Sequence, residues 1–470
     1  SLADSNTTKD VAKRNPDTGK PLSPDASGKY DTEEVHPTTT VNLLGGKIVH
    51  DAYGGGLGDA THAPSVKGSV TVKLNEGKGE DDKGCIVNRV FGCNNLKGSP
   101  QGSVKVYVYA TQNKDKGDIK TKYPKQANNE VLAEGQSSRY DVAAVYGGGN
   151  LAPYVPANPE TTTERAEVYI DGCKMTSIKQ VYGGGNAASA PATYVLVNRA
   201  YEIDEVFGGG NGADDYSLTN GTNTVWYKNP GANVGYYDYT RPATETDKDE
   251  NDHLIGTGSG TKADPYKNVD KENARTKEDR QDPDNHYMYG SGIATTEIKG
   301  GTIHTVFGGS NSRGNVRTKL SSSYSSMFDD CPMVINTTYG SGKNALSDGE
   351  VEVLSDCAKG ISVMFGGAEN ADVDNDINLT ITNGSSLQRV FGGNNTSGAI
   401  NGSITVTIKK GGCEPIRIGE LYAGGFLAPY SIYGYKKTNG VYDTEEVEYY
   451  DESEKTIKKK WQRIPLESTT

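Results

Sequence analysis

The sequence predicts an all-β repeat solenoid, a right-handed parallel β-helix of about eleven rungs. Three observations lead there. An aromatic-glycine-asparagine motif recurs along the chain, an aliphatic residue precedes nearly every copy by four positions, and an alternating apolar-polar stretch lies upstream of many copies. Self-similarity of this kind marks stacked units, none of which can bury its apolar face alone. Composition agrees with a thin core. Glycine is 59 of 470 residues, tyrosine outnumbers phenylalanine 29 to 7, and 34% of the chain is apolar.

The motif reads VFGC-NN at 90–95, VYGGGN at 145–150 and 181–186, and VFGGGN at 206–211. It returns as VFGGSN at 306–311, MFGGAEN at 364–370, VFGGNN at 390–395 and LYAGGF at 421–426, with looser copies at 52–56, 288–292 and 338–344. The aromatic anchors are Tyr53, Phe91, Tyr146, Tyr182, Phe207, Tyr289, Phe307, Tyr339, Phe365, Phe391 and Tyr422. The closely spaced copies repeat every 25 or 26 residues, too short for a propeller blade of about 40–50. The aliphatic partners are Val49, Val87, Val142, Ile178, Ile203, Ile303, Ile335, Ile361, Leu387 and Ile418, and only Asn285, before Tyr289, departs. Upstream, SVTVKL at 69–74, SVKVYVYA at 103–110, TYVLV at 193–197, INLTI at 377–381 and SITVTI at 403–408 alternate as half-buried strands do. Each unit is thus a strand, a turn, a second strand ending in the aromatic, and a glycine corner. Glycine suits that corner by accepting positive φ and by letting backbones approach closely.

The repeats occupy residues 39–435, with residues 1–38 a leader arm or linker and 436–470 a C-terminal cap or connector. One large insertion, 214–284, interrupts them; it carries Tyr216, Trp226, Tyr227, Tyr236, Tyr237, Tyr239 and Tyr266 among Asp, Asn, Lys and Gly. Loops of that length are functional or disordered, and the aromatics favour order and ligand contact in its first half. Trp226, Tyr227, Tyr236, Tyr237 and Tyr239 are the candidate ligand-binding residues. YDTEEV occurs at 30–35 and 442–447, and LAPY at 151–154 and 427–430, from which we expect a segment of a longer repetitive protein. Ser1 opens the chain without an apolar leader, as a mature form or a fragment would.

Catalytic and metal-binding motifs are sparse. The six histidines stand singly, without HExxH or HxH, and no cysteine has a zinc-ligand neighbour at the required spacing. Cys85 with Cys93, then Cys331 with Cys357, are the expected disulfides. The asparagines Asn94, Asn150, Asn186, Asn211, Asn311, Asn370 and Asn394 are expected to form an amide ladder, and the anchors an internal aromatic stack. Asp372, Asp374 and Asp376 alternate as hard-cation ligands do, which makes calcium the one cofactor the sequence brings forward. The following position is Ile377 where an EF-hand has glycine, and GGLGDA at 55–60 is a single near-copy of a calcium repeat. The acidic doublets Asp81-Asp82, Asp214-Asp215 and Asp329-Asp330 lack the surroundings of polygalacturonase-type sites, so no catalytic residue is assigned. A net charge of −12 argues against nucleic acid, and no apolar run reaches the about 18 residues of a membrane span.

KGGTIHTVFGGSN at 299–311 and its relatives resemble the glycine-rich repeats of bacterial surface and adhesin-like β-helix proteins, including those of gut Bacteroidetes. Gly300-Gly301-Thr302-Ile303 with Phe307 and Asn311 is also similar to the GGAI and FxxN motifs of polymorphic outer-membrane proteins, though most copies do not keep both and no barrel follows. The resemblance covers about residues 41–435. It implies a secreted, surface-displayed structural or adhesive role, and the function we expect is that of a non-enzymatic extracellular rod displaying loops that bind a surface protein or a glycan. A carbohydrate-binding or polysaccharide-degrading β-helix and a self-associating surface-layer or filament subunit are the alternatives.

Overall fold

The computed structural model describes residues 9–12, 32–35, 38–111 (without 60, 80, 81 and 83), 140–235 (without 213, 214, 221 and 228–230), 258–265, 289–428 (without 315, 324–330, 384 and 411–414), 437–438, 441–442, 444–451 and 456–463. Of the strands at both ends, and of residues 160, 216 and 218–220, it describes the backbone alone.

Among the described residues ten rungs stack in parallel. Eight of them pair a first strand with a second: Thr39–Leu43 and Lys47–Tyr53, Val70–Leu74 and Ile86–Phe91, Val104–Val108 and Val142–Tyr146 make rungs 1 to 3. Rungs 4 and 5 are single long strands, Ala166–Tyr182 and Thr193–Phe207. Rungs 6 to 8 follow as Ile293–Ile298 and Thr302–Phe307, Val316–Ser323 and Val334–Tyr339, Ser347–Asp356 and Lys359–Phe365. Ile377–Thr382 with Ser386–Phe391, and Ile404–Lys409 with Arg417–Tyr422, complete rungs 9 and 10. First strands pair with first strands and second with second, and rungs 4 and 5 join the two ladders into one curled sheet. The corners form a third side, tied rung to rung by bonds such as Asn186 N–H to Gly149 O and by the Ala190–Val234 bridge.

Like residues stack on like. One interior column runs Val41, Val72, Val106, Val168, Val195, Thr296, Leu320, Val353, Leu379 and Val406. The aliphatics before the aromatics form another, from Val142 through Ile178, Ile203, Ile303, Ile335, Ile361 and Leu387 to Ile418. Rung 1 differs from expectation: a register shift puts Ile48 opposite Val87 and leaves Val49 exposed. β-Branched residues dominate both columns because they fit a pleated, buried surface.

The aromatics make a second core, separate from the aliphatic one. Tyr53, Phe91, Tyr146, Tyr182, Phe207, Phe307, Tyr339, Phe365, Phe391 and Tyr422 stack face to face, with centroids 4.5–5.0 Å apart and planes within 10°. That spacing is the interstrand distance itself. Tyr289 lies outside the stack; it is buried, and its hydroxyl contacts Ser189. Its copy is the one without the upstream aliphatic, which explains ten rungs from eleven motifs.

An amide ladder borders this spine. Asn150 Nδ2 donates to Asn95 Oδ1 (2.9 Å), Asn186 to Asn150 (2.9 Å), Asn211 to Asn186 (2.8 Å) and Asn311 to Asn211 (2.9 Å). Tyr182 Oη donates to Asn211 Oδ1 at 3.0 Å, tying spine to ladder. Asn94 and Asn394, expected on the ladder, instead brace the preceding corner against their own: Asn94 accepts from Gly56 N–H and donates to the Pro64 and Lys97 carbonyls, and Asn394 accepts from Ala368 N–H and donates to the Ala371 and Gly398 carbonyls. In a doubled asparagine the first residue is the brace.

The first corner glycine serves close approach alone. A Cβ at Gly54, Gly92, Gly147, Gly183, Gly208, Gly308, Gly340, Gly366 or Gly392 would lie 2.2–2.4 Å from the equivalent carbonyl of the next rung. None of the nine has positive φ, so that part of the expectation is corrected.

The disulfides also differ from expectation. Cys173 pairs with Cys331, Cα atoms 5.7 Å apart across 158 residues. Between Gly172 and Ser177 rung 4 has four residues where rung 5 has only Tyr201, and this excursion carries Cys173 to the turn of rung 7. Cys357 is disulfide-bonded, but not to Cys331. Cys85 and Cys93 are free buried thiols, held apart by roughly 20 Å of strand. The TEEV of both YDTEEV copies forms an antiparallel strand, with lysine opposite valine in each: Lys9 with Val35, Lys460 with Val447.

Candidate interaction surface

Strand alternation decides what the solenoid shows outside. In the first strands of rungs 3 to 5, Val106, Val168 and Val195 point in, so Tyr107, Tyr109, Tyr169 and Tyr194 point out. Register brings them together. Tyr107 lies opposite Tyr169 and their rings stack at 4.7 Å; Tyr194 meets Tyr169 edge-on at 5.8 Å. The Arg165 guanidinium lies 4.1 Å from the Tyr194 centroid. All four tyrosines are half-buried.

Glu167 is the hub beneath them. Its carboxylate accepts from Arg165 Nε at 2.8 Å and from the Tyr169 hydroxyl, and Lys105 Nζ stands 3.7 Å away. Burial, then the hydrogen bond to Glu167, pushes the Tyr169 phenol well above its usual range. Burial and the Glu297 charge push Tyr194 up to about 12. Both phenols are therefore neutral donors at physiological pH. Charges on this face pair internally, as Lys73–Glu76, Arg165–Glu167 and Lys299–Glu297. The face presents ring edges, hydroxyls and a stacked guanidinium: large amphipathic side chains held rigid at little further entropic cost, as at recognition surfaces.

A second polar cluster lies outside the second ladder. Glu205 accepts from Lys343 Nζ (2.5 Å) and Gln180 Nε2 (2.8 Å). His304 is held at both nitrogens, Nε2 against Glu202 at 2.9 Å and Nδ1 against the Asn336 amide at 3.1 Å. Burial and the Glu205 charge raise the Asp204 carboxyl above its usual range. With both His304 nitrogens engaged, the cluster ties rungs 4 to 7 together.

The residues singled out in the sequence fare unequally. Trp226 sits in a hairpin, Tyr216–Asn220 with Asn223–Tyr227, half-buried with Lys262 Nζ 5.4 Å from its ring. Tyr227 is 3% exposed. Tyr236, Tyr237 and Tyr239 lie outside the described residues. Asp372, Asp374 and Asp376 each spend one carboxylate oxygen on rung 9's following corner, accepting from Ala399 N–H (2.7 Å), Asn401 Nδ2 (2.5 Å) and Ser403 N–H (2.8 Å). Among the described residues no three His, Cys, Asp or Glu side chains converge as metal ligands would. Of the acidic doublets, Asp82 caps the Gly79 N–H and Asp215 is half-buried; Asp81, Asp214, Asp329 and Asp330 lie outside the described residues. The tyrosine face was not singled out, although SVKVYVYA already puts Tyr107 and Tyr109 on the polar side of its strand.

Fold and surface together define a parallel β-solenoid with a fixed aromatic face. No family model, curated protein or solved structure matches the chain.

Proposed function

We propose that this chain is a non-enzymatic, extracellular, adhesin-like solenoid that binds a glycan or a surface protein. The tyrosine face of rungs 3 to 5 carries the reading: four half-buried tyrosines and Arg165 on an outer sheet surface that the ladder holds in place. The Cys173–Cys331 disulfide supports an oxidising location. A glycan and surface-protein array probed with the wild type and with Tyr107→Ala/Tyr169→Ala/Tyr194→Ala tests it. Loss of such anchors costs about 2 kcal/mol or more, roughly thirtyfold in affinity. A ligand held equally by both proteins refutes this face. A chain lacking 214–284 locates binding in the insertion if it alone loses the ligand.

A polysaccharide-degrading reading has one observation in its favour, the raised Asp204 carboxyl beside Glu205. Release of reducing ends or unsaturated uronates from acidic polysaccharides, abolished by Asp204→Asn, would establish it in place of the binding reading.

A further inference from the structure

The last described rung departs from the others where one rung meets the next. Its corner, LYAGGFLAPY at 421–430, is nearly that of rung 3, VYGGGNLAPY at 145–154. The backbones agree too: Leu151 and Ala152 donate to the Asn95 carbonyl, Leu427 and Ala428 to that of Asn395. Ala423 replaces Gly147 and Phe426 replaces Asn150; the other change is leucine for valine at 421.

The first of these positions recognises the following rung; the ladder position is held by Lys343 and Glu369 in rungs 7 and 8, which stack all the same. At the nine earlier corners a Cβ would lie 2.2–2.4 Å from the next carbonyl, and Gly392 meets that of Ala423 itself at 2.3 Å. By the same repeat, the Ala423 methyl stands where the corner carbonyl of an eleventh rung would come. Phe426 occupies the ladder position, where Asn150 offers its Oδ1 to the next amide; its ring packs edge-on against Phe391 and is 52% exposed. At the other end Leu57 holds that position, 63% exposed. Neither end thus offers the amide that joins Asn95 to Asn311.

We propose that rung 10 is a stop: Ala423 blocks the corner approach, so the first rung of a second copy cannot stack on this edge in register. Parallel edges otherwise invite head-to-tail growth, which runs on without closure. The stop leaves lateral contacts, including the tyrosine face, open.

The test converts the ends into interior rungs. Leu57→Asn/Ala423→Gly/Phe426→Asn should associate head to tail, its weight-average mass in sedimentation rising at least about twofold with concentration. Leu57→Asn/Phe426→Asn, keeping Ala423, should sediment as the wild type does. Circular dichroism checks that each variant is folded. A natively folded triple variant that sediments as the wild type overturns the proposal, as does head-to-tail growth of the wild type or of the variant keeping Ala423.

Discussion

Gly183→Ala tests the close approach on which the stack depends. The added Cβ would lie 2.3 Å from the Gly208 carbonyl oxygen and 2.9 Å from Thr193 Cβ. Relief to an ordinary contact requires rungs 4 and 5 to part locally by about 1 Å. The bonds at stake are Gly183 N–H to Phe207 O (3.0 Å) and Gly184 N–H to Gly209 O (2.9 Å), with the Tyr182–Phe207 stack at 4.9 Å. Two hydrogen bonds at about 1 kcal/mol each and a stacked pair at about 1 kcal/mol sum to roughly 3 kcal/mol. Alanine restricts the unfolded chain and returns about 0.4–1 kcal/mol, leaving a net cost of about 2–3 kcal/mol. Because solenoid stability is a sum of neighbour terms, the loss should be local. Native-state hydrogen exchange reads it as about thirtyfold or more lost protection in the corner amides of rungs 4 and 5. Gly424→Ala is the control: nothing lies within 4 Å of a Cβ there, and its φ is not positive. Equal losses in both variants, or unchanged protection in Gly183→Ala, would refute close approach as the reason for glycine.

Asn211→Ala removes the centre of the amide ladder and with it the bonds to Asn186 Oδ1, Asn311 Nδ2 and the Tyr182 hydroxyl; we expect a loss of about 2–4 kcal/mol, read as a lower urea midpoint. Cys173→Ser/Cys331→Ser should cost about 2–5 kcal/mol and loosen rungs 4 to 7 first by hydrogen exchange. Asp204→Asn should stabilise the protein at neutral pH. The folded Asp204 pKa is raised by burial and by Glu205, so its contribution is complete below the unfolded carboxylate pKa of about 4 and falls as pH rises through the folded value. The Tm advantage of the Asp204→Asn variant over wild type should therefore open above about pH 4 and vanish below it. Thr318→Val should add about 1 kcal/mol to the urea-unfolding free energy, because the buried Thr318 hydroxyl has no partner and its column continues into Val351.

Much of the fold was legible because rung-to-rung stacking writes itself into the sequence as spacing. The aliphatic at four before the aromatic and the glycine after it are both contact positions, so their recurrence gave the register directly. What escaped is what the repeat does not encode. Cys173 reaches Cys331 through extra residues in one turn, so local spacing pointed to the wrong partners. The register shift in rung 1 moved burial from Val49 to Ile48 without changing the motif. The tyrosine face was obscured for another reason. Its members come from three strands far apart in sequence, and only the pairing of Tyr107 with Tyr169 makes them neighbours.

The large insertion shows how little the stack depends on what lies between its strands. Residues 208–292 lie between the strands of rungs 5 and 6, yet Thr193 still pairs with Ala294, and Phe207 and Phe307 stack at 4.8 Å and 4°. The spine passes the insertion as it passes a 25-residue turn. Loop-closure entropy grows only logarithmically, about 0.6 kcal/mol per doubling of length, whereas each rung contact is fixed by its corner glycine and its ring. Loops can therefore lengthen or change at little cost to the stack. A single methyl at the wrong corner, by contrast, costs about 2–3 kcal/mol. Selection has the turns and outer strand positions free to vary, while the corner sequence stays bound to a carbonyl 2.3 Å from where any side chain would begin.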